Sequence, residues 1–248
     1  MSKKLVKEHF LISKIFDKLK FQKNSQLEKI EKFAFFKISI ESIEIPSQVK
    51  ELGEGLFRVA SKLNKVRVSP ENQIFCSLED KIIFKKTKVE QDNYDCLIYG
   101  VNNIKSVIVP SSIEHICNYA FDGCEKLKKI EIQNDSKLKT INKESFSFTS
   151  IDKIRIPSQV ELIGYGAFSF CTTLKQVDFE DDSKLKTIGY EAFAATRITS
   201  IIIPSHVEHI YNRAFNICKE LQIIEFSENS EFKSISPFSF IKKVILFA

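Results

Sequence analysis

Residues 156–179 read IPSQVELIGYGAFSFCTTLKQVDF, and nearly the same stretch occurs at residues 109–132 and at residues 203–226. The copies are spaced by 47 residues, because 156 − 109 and 203 − 156 both give that number. A fixed period of about 20 to 50 residues is typical of proteins built by stacking one structural unit. The sequence therefore predicts a repeat protein.

Each period contains two similar halves of 23 or 24 residues. The first half begins at a proline such as Pro157 and reaches Phe168, and the second begins near Ser183 and reaches Phe193. A repeated position that requires a phenylalanine ring, called the aromatic slot below, explains why the chain has 22 phenylalanines and no tryptophan. The slot recurs at Phe10, Phe35, Phe57, Phe121, Phe146, Phe168, Phe193, Phe215 and Phe240.

An apolar triplet with alternating spacing follows each of these phenylalanines, as in Ile151, Ile154 and Ile156. Alternation places the triplet side chains on one face of a short strand and the intervening residues on the other. One parallel strand per 23–24 residues suits a coil that returns to the same place. We therefore predict a strand-rich solenoid with little helix, one domain over residues 1–248 in about ten coils.

One period is interrupted, because 64 residues separate Pro46 from Pro110. The surplus lies in residues 72–100, where two apolar segments, Lys81 to Phe84 and Cys96 to Tyr99, flank a polar stretch. This pattern predicts a β-hairpin with a long loop, which projects from one coil or caps it.

The pattern I-P-x-x-V-x-x-I-x-x-x-A-F-x-x-C-x-x-L-x-x-I-x-I resembles the leucine-rich repeats of the BspA-like family. The resemblance covers essentially the whole chain and implies a right-handed solenoid, α/β by the convention for these repeats. It also implies a non-enzymatic surface antigen that adheres to host or matrix proteins.

Composition limits the other classes of function. The net charge of +5 is modest for 248 residues, which disfavours nucleic acid as a partner. The longest uninterrupted apolar run, Val244 to Ala248, is too short to span a bilayer, and the N-terminal stretch is a poor signal peptide. An intracellular scaffold is therefore the alternative to a surface protein. A hydrolase built on the insertion has almost no support.

The cysteines and histidines do not assemble into a predicted site. Cys124, Cys171 and Cys218 occupy the same slot in every second coil. Twice the strand spacing gives a separation of about 9–10 Å between neighbours, which is too far for disulfides. A disulfide between Cys76 and Cys96, on the two arms of the insertion, stays open. His115 and His209 share a repeat slot, and no metal or cofactor is predicted.

The outward strand positions are the predicted binding surface for a protein partner, because on a curved solenoid such positions tile the concave face. Alternating charges on neighbouring strands also fit mutual pairing. The residues singled out are Lys129, Lys153, Arg155, Asp178, Ile202, Ile223 and Glu225. Uncovered apolar residues at the two ends predict end-to-end association. Those residues are Leu5, Phe10, Phe16, Phe240 and Ile245.

Overall fold

The computed structural model describes residues 4–5, 18–19, 21–22, 25–236 and 245–247. Within these residues the chain has strands and no helix, and it winds into a β-solenoid of about nine turns, each called a coil below. The segments that carry the aromatic slot, such as residues 118–121, are hydrogen-bonded turns. The count of about ten coils included residues outside the described ranges.

Each coil contributes two parallel strands, where the sequence predicted one. The long-strand series is β2 (Lys18–Leu19), β4 (Ser42–Ile45), β6 (Lys65–Val68), β10 (Ser106–Val109), β12 (Lys129–Ile132), β14 (Lys153–Ile156), β16 (Gln176–Phe179), β18 (Ser200–Ile203), β20 (Ile223–Phe226) and β22 (Ile245–Phe247). The short-strand series is β1 (Lys4–Leu5), β3 (Lys29–Ile30), β5 (Glu51–Leu52), β11 (His115–Ile116), β13 (Thr140–Ile141), β15 (Leu162–Ile163), β17 (Thr187–Ile188), β19 (His209–Ile210) and β21 (Ser234–Ile235). A two-residue strand is too short to show an alternating pattern, so the sequence did not predict the second series.

The insertion forms three antiparallel strands, β7 (Phe75–Leu78), β8 (Ile82–Lys85) and β9 (Cys96–Gly100). Strand β9 also pairs in parallel with β11, so the insertion continues the short-strand sheet. In β8, Ile83 packs in a core cluster with the preceding coils, whereas Ile82 and Phe84 pack in the cluster of the following coils. The insertion therefore lies between coils; it neither projects from one nor caps one.

The aromatic slot is filled by a stack of buried phenylalanine rings. Centroids of neighbouring rings lie 5.4 Å apart for Phe146 and Phe168 and 5.3 Å apart for Phe168 and Phe193, with the rings nearly parallel. Where the insertion interrupts the repeat, Tyr99 packs on Phe57 at 4.8 Å. The stacked rings and the inward strand residues form the core of every described coil from Leu27 to Ile224.

The ladder cysteines are buried free thiols, as the sequence predicted. In the intervening coils the slot holds threonine, and Thr149 Oγ1 lies 3.2 Å from the Sγ atom of Cys171. The alternative disulfide between Cys76 and Cys96 is wrong, because both are free and the two residues lie on β7 and β9, separated by β8. Two strand spacings are about 9.6 Å, beyond disulfide reach.

The predicted end-to-end association rests largely on residues outside the described ranges. Phe10, Phe16 and Phe240 lie there, and for Leu5 and Ile245 only the strands β1 and β22 are described. The association therefore stays a prediction.

Candidate functional site

The long strands present one alternating face to solvent. In β14, Lys153 and Arg155 are exposed while Ile154 and Ile156 are buried, and β18 repeats the pattern. Because successive side chains of a strand point to opposite sides, inward residues build the core and outward residues form a surface. We call the outward positions of β10 to β20 the long-strand face.

All seven residues singled out from the sequence lie on this face. Ile202 exposes 57% of its surface, and Ile223 is partly buried. The strand register places Ile202 opposite Glu225 and Ile223 opposite Ser200, so the two isoleucines are diagonal neighbours. The exposed set is Lys129, Lys153, Arg155, Asp178, Ile202 and Glu225.

Charge pairing on the face is partial. Lys129 pairs with Glu131 of its own strand, with 3.1 Å between Nζ and Oε2. Arg155 stands opposite Asp178 in register, yet its Nε lies 3.3 Å from Glu180 Oε1. Exposed pairs of this kind contribute about 0–1 kcal/mol to stability. Mutual pairing therefore does not account for the whole surface.

The face opens into a groove between β16 and β18. Strands β14 and β16 form one sheet and β18, β20 and β22 another. From β10 onward, strands that start 23 residues apart pair, and strands that start 24 apart separate. Before β16 and β18 diverge, Arg197 N donates to Leu174 O at 2.9 Å. The groove has a volume of about 750 Å³, and Asp178 and Ile202 line it.

The groove is acidic although the chain as a whole is basic. Its lining contains four carboxylates and one lysine, Lys175. The carboxylates are Asp178, Glu180, Asp181 and Asp182. The groove therefore favours a basic partner, because opposite charges attract across an interface.

A second exposed apolar strip, which the sequence interpretation missed, runs along the turns that hold the aromatic slot. The rings of Phe148 and Phe170 stack 4.8 Å apart, and both are exposed. Each lies two residues after a buried ladder phenylalanine and adopts a positive φ, 57° and 58°. The signal was present in the sequence, since FSFT and FSFC place a second aromatic beside the conserved slot of the repeat. Val59 and Ile217 are exposed at the equivalent positions, two residues after Phe57 and Phe215.

The profile of the BspA type leucine rich repeat region, with six copies, matches residues 3–94, 93–222 and 139–246. The chain belongs to the BspA-type leucine-rich repeat family. No curated protein sequence matches it.

Solved structures of bacterial proteins share the fold of this BspA-type chain. A leucine-rich repeat protein from Eubacterium ventriosum is 20% identical, with 85% of this chain and 67% of that chain covered and a TM-score of 0.68. A leucine rich cell surface protein from Faecalibacterium prausnitzii is 20% identical (88% and 52% covered, TM-score 0.56). The pneumococcal vaccine antigen PcpA is 25% identical (89% and 48% covered, TM-score 0.59). The chain spans about half the length of the last two.

Two histidines of the BspA-type repeats, His115 and His209, make hydrogen bonds to the next coil. Nδ1 of His115 lies 2.9 Å from Thr140 Oγ1, and Nδ1 of His209 lies 2.8 Å from Ser234 Oγ. Among the described residues, no group of three or more His, Cys, Asp or Glu side chains is placed to hold a metal ion. The same part of the chain contains no helix that is long and apolar enough to cross a membrane.

Proposed function

We propose that this BspA-type chain is a non-enzymatic module that binds a protein partner through the long-strand face. The observation that carries the proposal is the groove between β16 and β18, where exposed Ile202 lies beside acidic side chains. An apolar anchor surrounded by polar groups is the usual composition of a protein-binding hot spot. The partner segment is accordingly basic, with an apolar residue that packs on Ile202.

Adhesion at a cell surface, to a host or matrix protein, is the biological role that we propose. Supporting this role, one structural neighbour is a cell surface protein and another is a vaccine antigen. The repeat family itself is consistent with protein interaction. Solenoids present extended surfaces of this kind for binding.

Binding of a panel of extracellular-matrix proteins to the immobilised chain tests the proposal. For a partner that binds, Ile202→Lys and Asp178→Lys should each weaken affinity by about tenfold or more, because each removes a contact and adds a like charge toward a basic segment. Raising the salt concentration should weaken binding to the wild type, since the contribution of exposed charges is screened.

Ile217→Lys is the matched control, since it places the same charge at an exposed isoleucine of the turn strip. It should leave affinity unchanged. If Ile217→Lys removes binding while Ile202→Lys retains it, the turn strip is the binding surface and the proposal is wrong.

A further inference from the structure

A cavity of about 510 Å³ lies where the insertion meets the coils that precede and follow it. The preceding coil contributes Leu52 and Phe57, and β8 and β9 contribute Ile83 and Ile98. The cavity exists because the insertion separates β5 from β11, whose counterparts elsewhere in the short-strand series pair directly. It is therefore a feature of the interruption and not of the repeat.

Two thiols meet in the wall of this cavity. Cys96 begins β9, opposite His115 of β11 in register, and Cys117 follows β11 directly. Both thiols line the cavity, and they lie close enough for Cys96 to donate a hydrogen bond to Cys117. Cys96 is buried, whereas Cys117 is only partly buried and lines the cavity.

The surroundings of the pair favour a thiolate at Cys117. The hydrogen bond from Cys96 lowers the pKa of Cys117, and this effect exceeds the opposing effect of burial. The charge of Lys85, which also lines the cavity, lowers that pKa further, against weaker effects of Asp95 and Glu54. The same hydrogen bond raises the pKa of Cys96, so Cys96 keeps its proton and donates it.

One residue that lines the cavity carries a buried polar group without a protein partner. Tyr99 is 7% exposed and lines the cavity, and among the described residues its hydroxyl has no hydrogen-bond partner. A buried hydroxyl that makes no hydrogen bond is unfavourable. The cavity volume, its apolar lining and the unpaired hydroxyl of Tyr99 together fit a small molecule beside the thiol pair.

The other thiols lack these features. Cys124, Cys171 and Cys218 are buried in the ladder. Cys76 is the matched comparison because it is also partly exposed, but burial raises its pKa despite a hydrogen bond with Tyr94 and the charge of Lys86.

We propose that the cavity at the insertion is a thiol-modification site, in which Cys117 exchanges with low-molecular-weight disulfides to form a mixed disulfide. Cys96 and Lys85 are positioning residues that stabilise the thiolate. Such a thiolate is the nucleophile in thiol–disulfide exchange. This inference is independent of binding at the long-strand face.

The exchange is a single displacement at sulfur. The Cys117 thiolate attacks one sulfur of R–S–S–R, a new S–S bond forms, and the original S–S bond breaks. Its electron pair leaves with the second sulfur as R–S⁻, which takes a proton from water equivalent to the one that Cys117 released. The disulfide reagent is the oxidant, and one equivalent of R–SH is the product.

The test treats the folded protein with hydroxyethyl disulfide and follows adducts at each cysteine by peptide mass spectrometry. Lowering a thiol pKa by one unit raises the thiolate fraction about tenfold and lowers its nucleophilicity about threefold, a net gain of about threefold. Because the pKa of Cys117 is lowered and that of Cys76 is raised, Cys117 should react faster than Cys76, by about threefold for each unit that separates the two values. A reductant should restore the free thiol, and Cys117→Ser should lose the adduct.

Two neighbouring lysines provide matched variants. Lys85→Gln should slow adduct formation at Cys117 and leave the rate at Cys76 unchanged. Lys86→Gln should slow adduct formation at Cys76 and leave the rate at Cys117 unchanged. Reaction of Cys117 no faster than Cys76, or only after denaturation, overturns the proposal. Equal slowing of Cys117 by both lysine variants also overturns it.

Discussion

In the uninterrupted coils, a ladder phenylalanine occupies a space whose walls are the rings of the two adjacent coils. The ring of Phe168 lies between those of Phe146 and Phe193, with no exposed surface. Loss of one ring therefore removes contacts in three coils at once. In a protein whose coils contact only their neighbours, such a loss weakens the interfaces on both sides.

Phe168→Ala should lower the free energy of unfolding by about 3–5 kcal/mol, because it leaves a cavity in a closely packed core. Denaturant unfolding measures the change. Lys175→Ala, an exposed position in the same coil, serves as the control and should change stability by less than about 0.5 kcal/mol. Equal midpoints for the two variants would show that the ring stack does not hold the fold.

Cys171 makes stability depend on alkaline pH. Burial raises its pKa from the usual 9.0 to about 12. A thiol whose pKa is raised on folding stabilises the protein fully below the unfolded pKa, and this stability is lost as pH rises toward the folded pKa. The loss should therefore begin near pH 9.

The unfolding free energy of the wild type should fall faster with pH than that of Cys171→Ala, by about 1.4 kcal/mol per pH unit above about pH 9. Denaturant titrations of both proteins between about pH 8 and pH 11 measure the difference, in which other titrating groups cancel. Parallel curves over this range would show that the thiol ionises without cost in the folded state.

Single residues were predictable where they belong to the repeat. The period placed Phe168 in the core and Cys171 in a buried slot, because similar residues recur at the same positions in the other copies. The contacts of Tyr99 and Cys117 were not predictable. Tyr99, which packs on Phe57, belongs to the insertion and lies outside the repeat register. Cys117 has Cys96 as its neighbour, and only the folded insertion brings Cys96 to that place.

At the scale of elements, the start of the insertion is held by one buried amide. Asn72 Nδ2 donates to the carbonyl oxygens of Pro46 and Val49 at 3.0 and 2.9 Å. Its Oδ1 accepts from the backbone N–H groups of Ile74 and Phe75 at 2.9 and 2.8 Å. The side chain therefore joins the insertion to the coil before it.

Asn72→Ala should cost about 3 kcal/mol or more, since each buried group left without a partner costs about 1–3 kcal/mol. Thermal or denaturant unfolding measures the loss. The control is Gln73→Ala, because the Gln73 side chain is exposed and bonds only locally to Glu71 O. A loss no larger than that of Gln73→Ala would mean that the insertion is held by its strand pairing alone.

The elements were predictable in part. The long strands follow from apolar alternation, but the two-residue strands of the short series carry no pattern to detect. The two apolar segments of the insertion pair as β8 and β9, whereas β7 was not predicted, because FCSL is short and mixed. The separation of β16 from β18 depends on a one-residue difference between half-repeats, whose effect on pairing appears only in three dimensions.

At the scale of the whole molecule, the inward positions of the coils form the core and the outward positions form the surface. Two core clusters, joined at β8, contain the inward residues of all described coils from Leu27 to Ile224. The outward residues of the long strands are exposed, and their ion pairs are of a kind that contributes about 0–1 kcal/mol to stability. We therefore expect polar substitutions on the long-strand face to leave the fold intact.

The fold and the candidate face follow from the sequence to different degrees at this scale. Period and alternation predicted the solenoid and placed Lys153, Arg155 and Asp178 on its surface. The acidic groove beside Ile202 was not predicted, because three of its four carboxylates, Glu180, Asp181 and Asp182, belong to the loop after β16 and approach β18 only through folding.

Two adjacent isoleucines of β18 provide the most direct test of the difference between inward and outward strand positions. Ile201 is 2% exposed and Ile202 is 57% exposed, so a lysine at the first position buries a charge and a lysine at the second remains in water. Denaturant unfolding should show a loss of several kcal/mol or no folded protein for Ile201→Lys, and a change within about 0.5 kcal/mol for Ile202→Lys. Comparable losses for the two variants would contradict the account, because the long-strand face would then be required for folding.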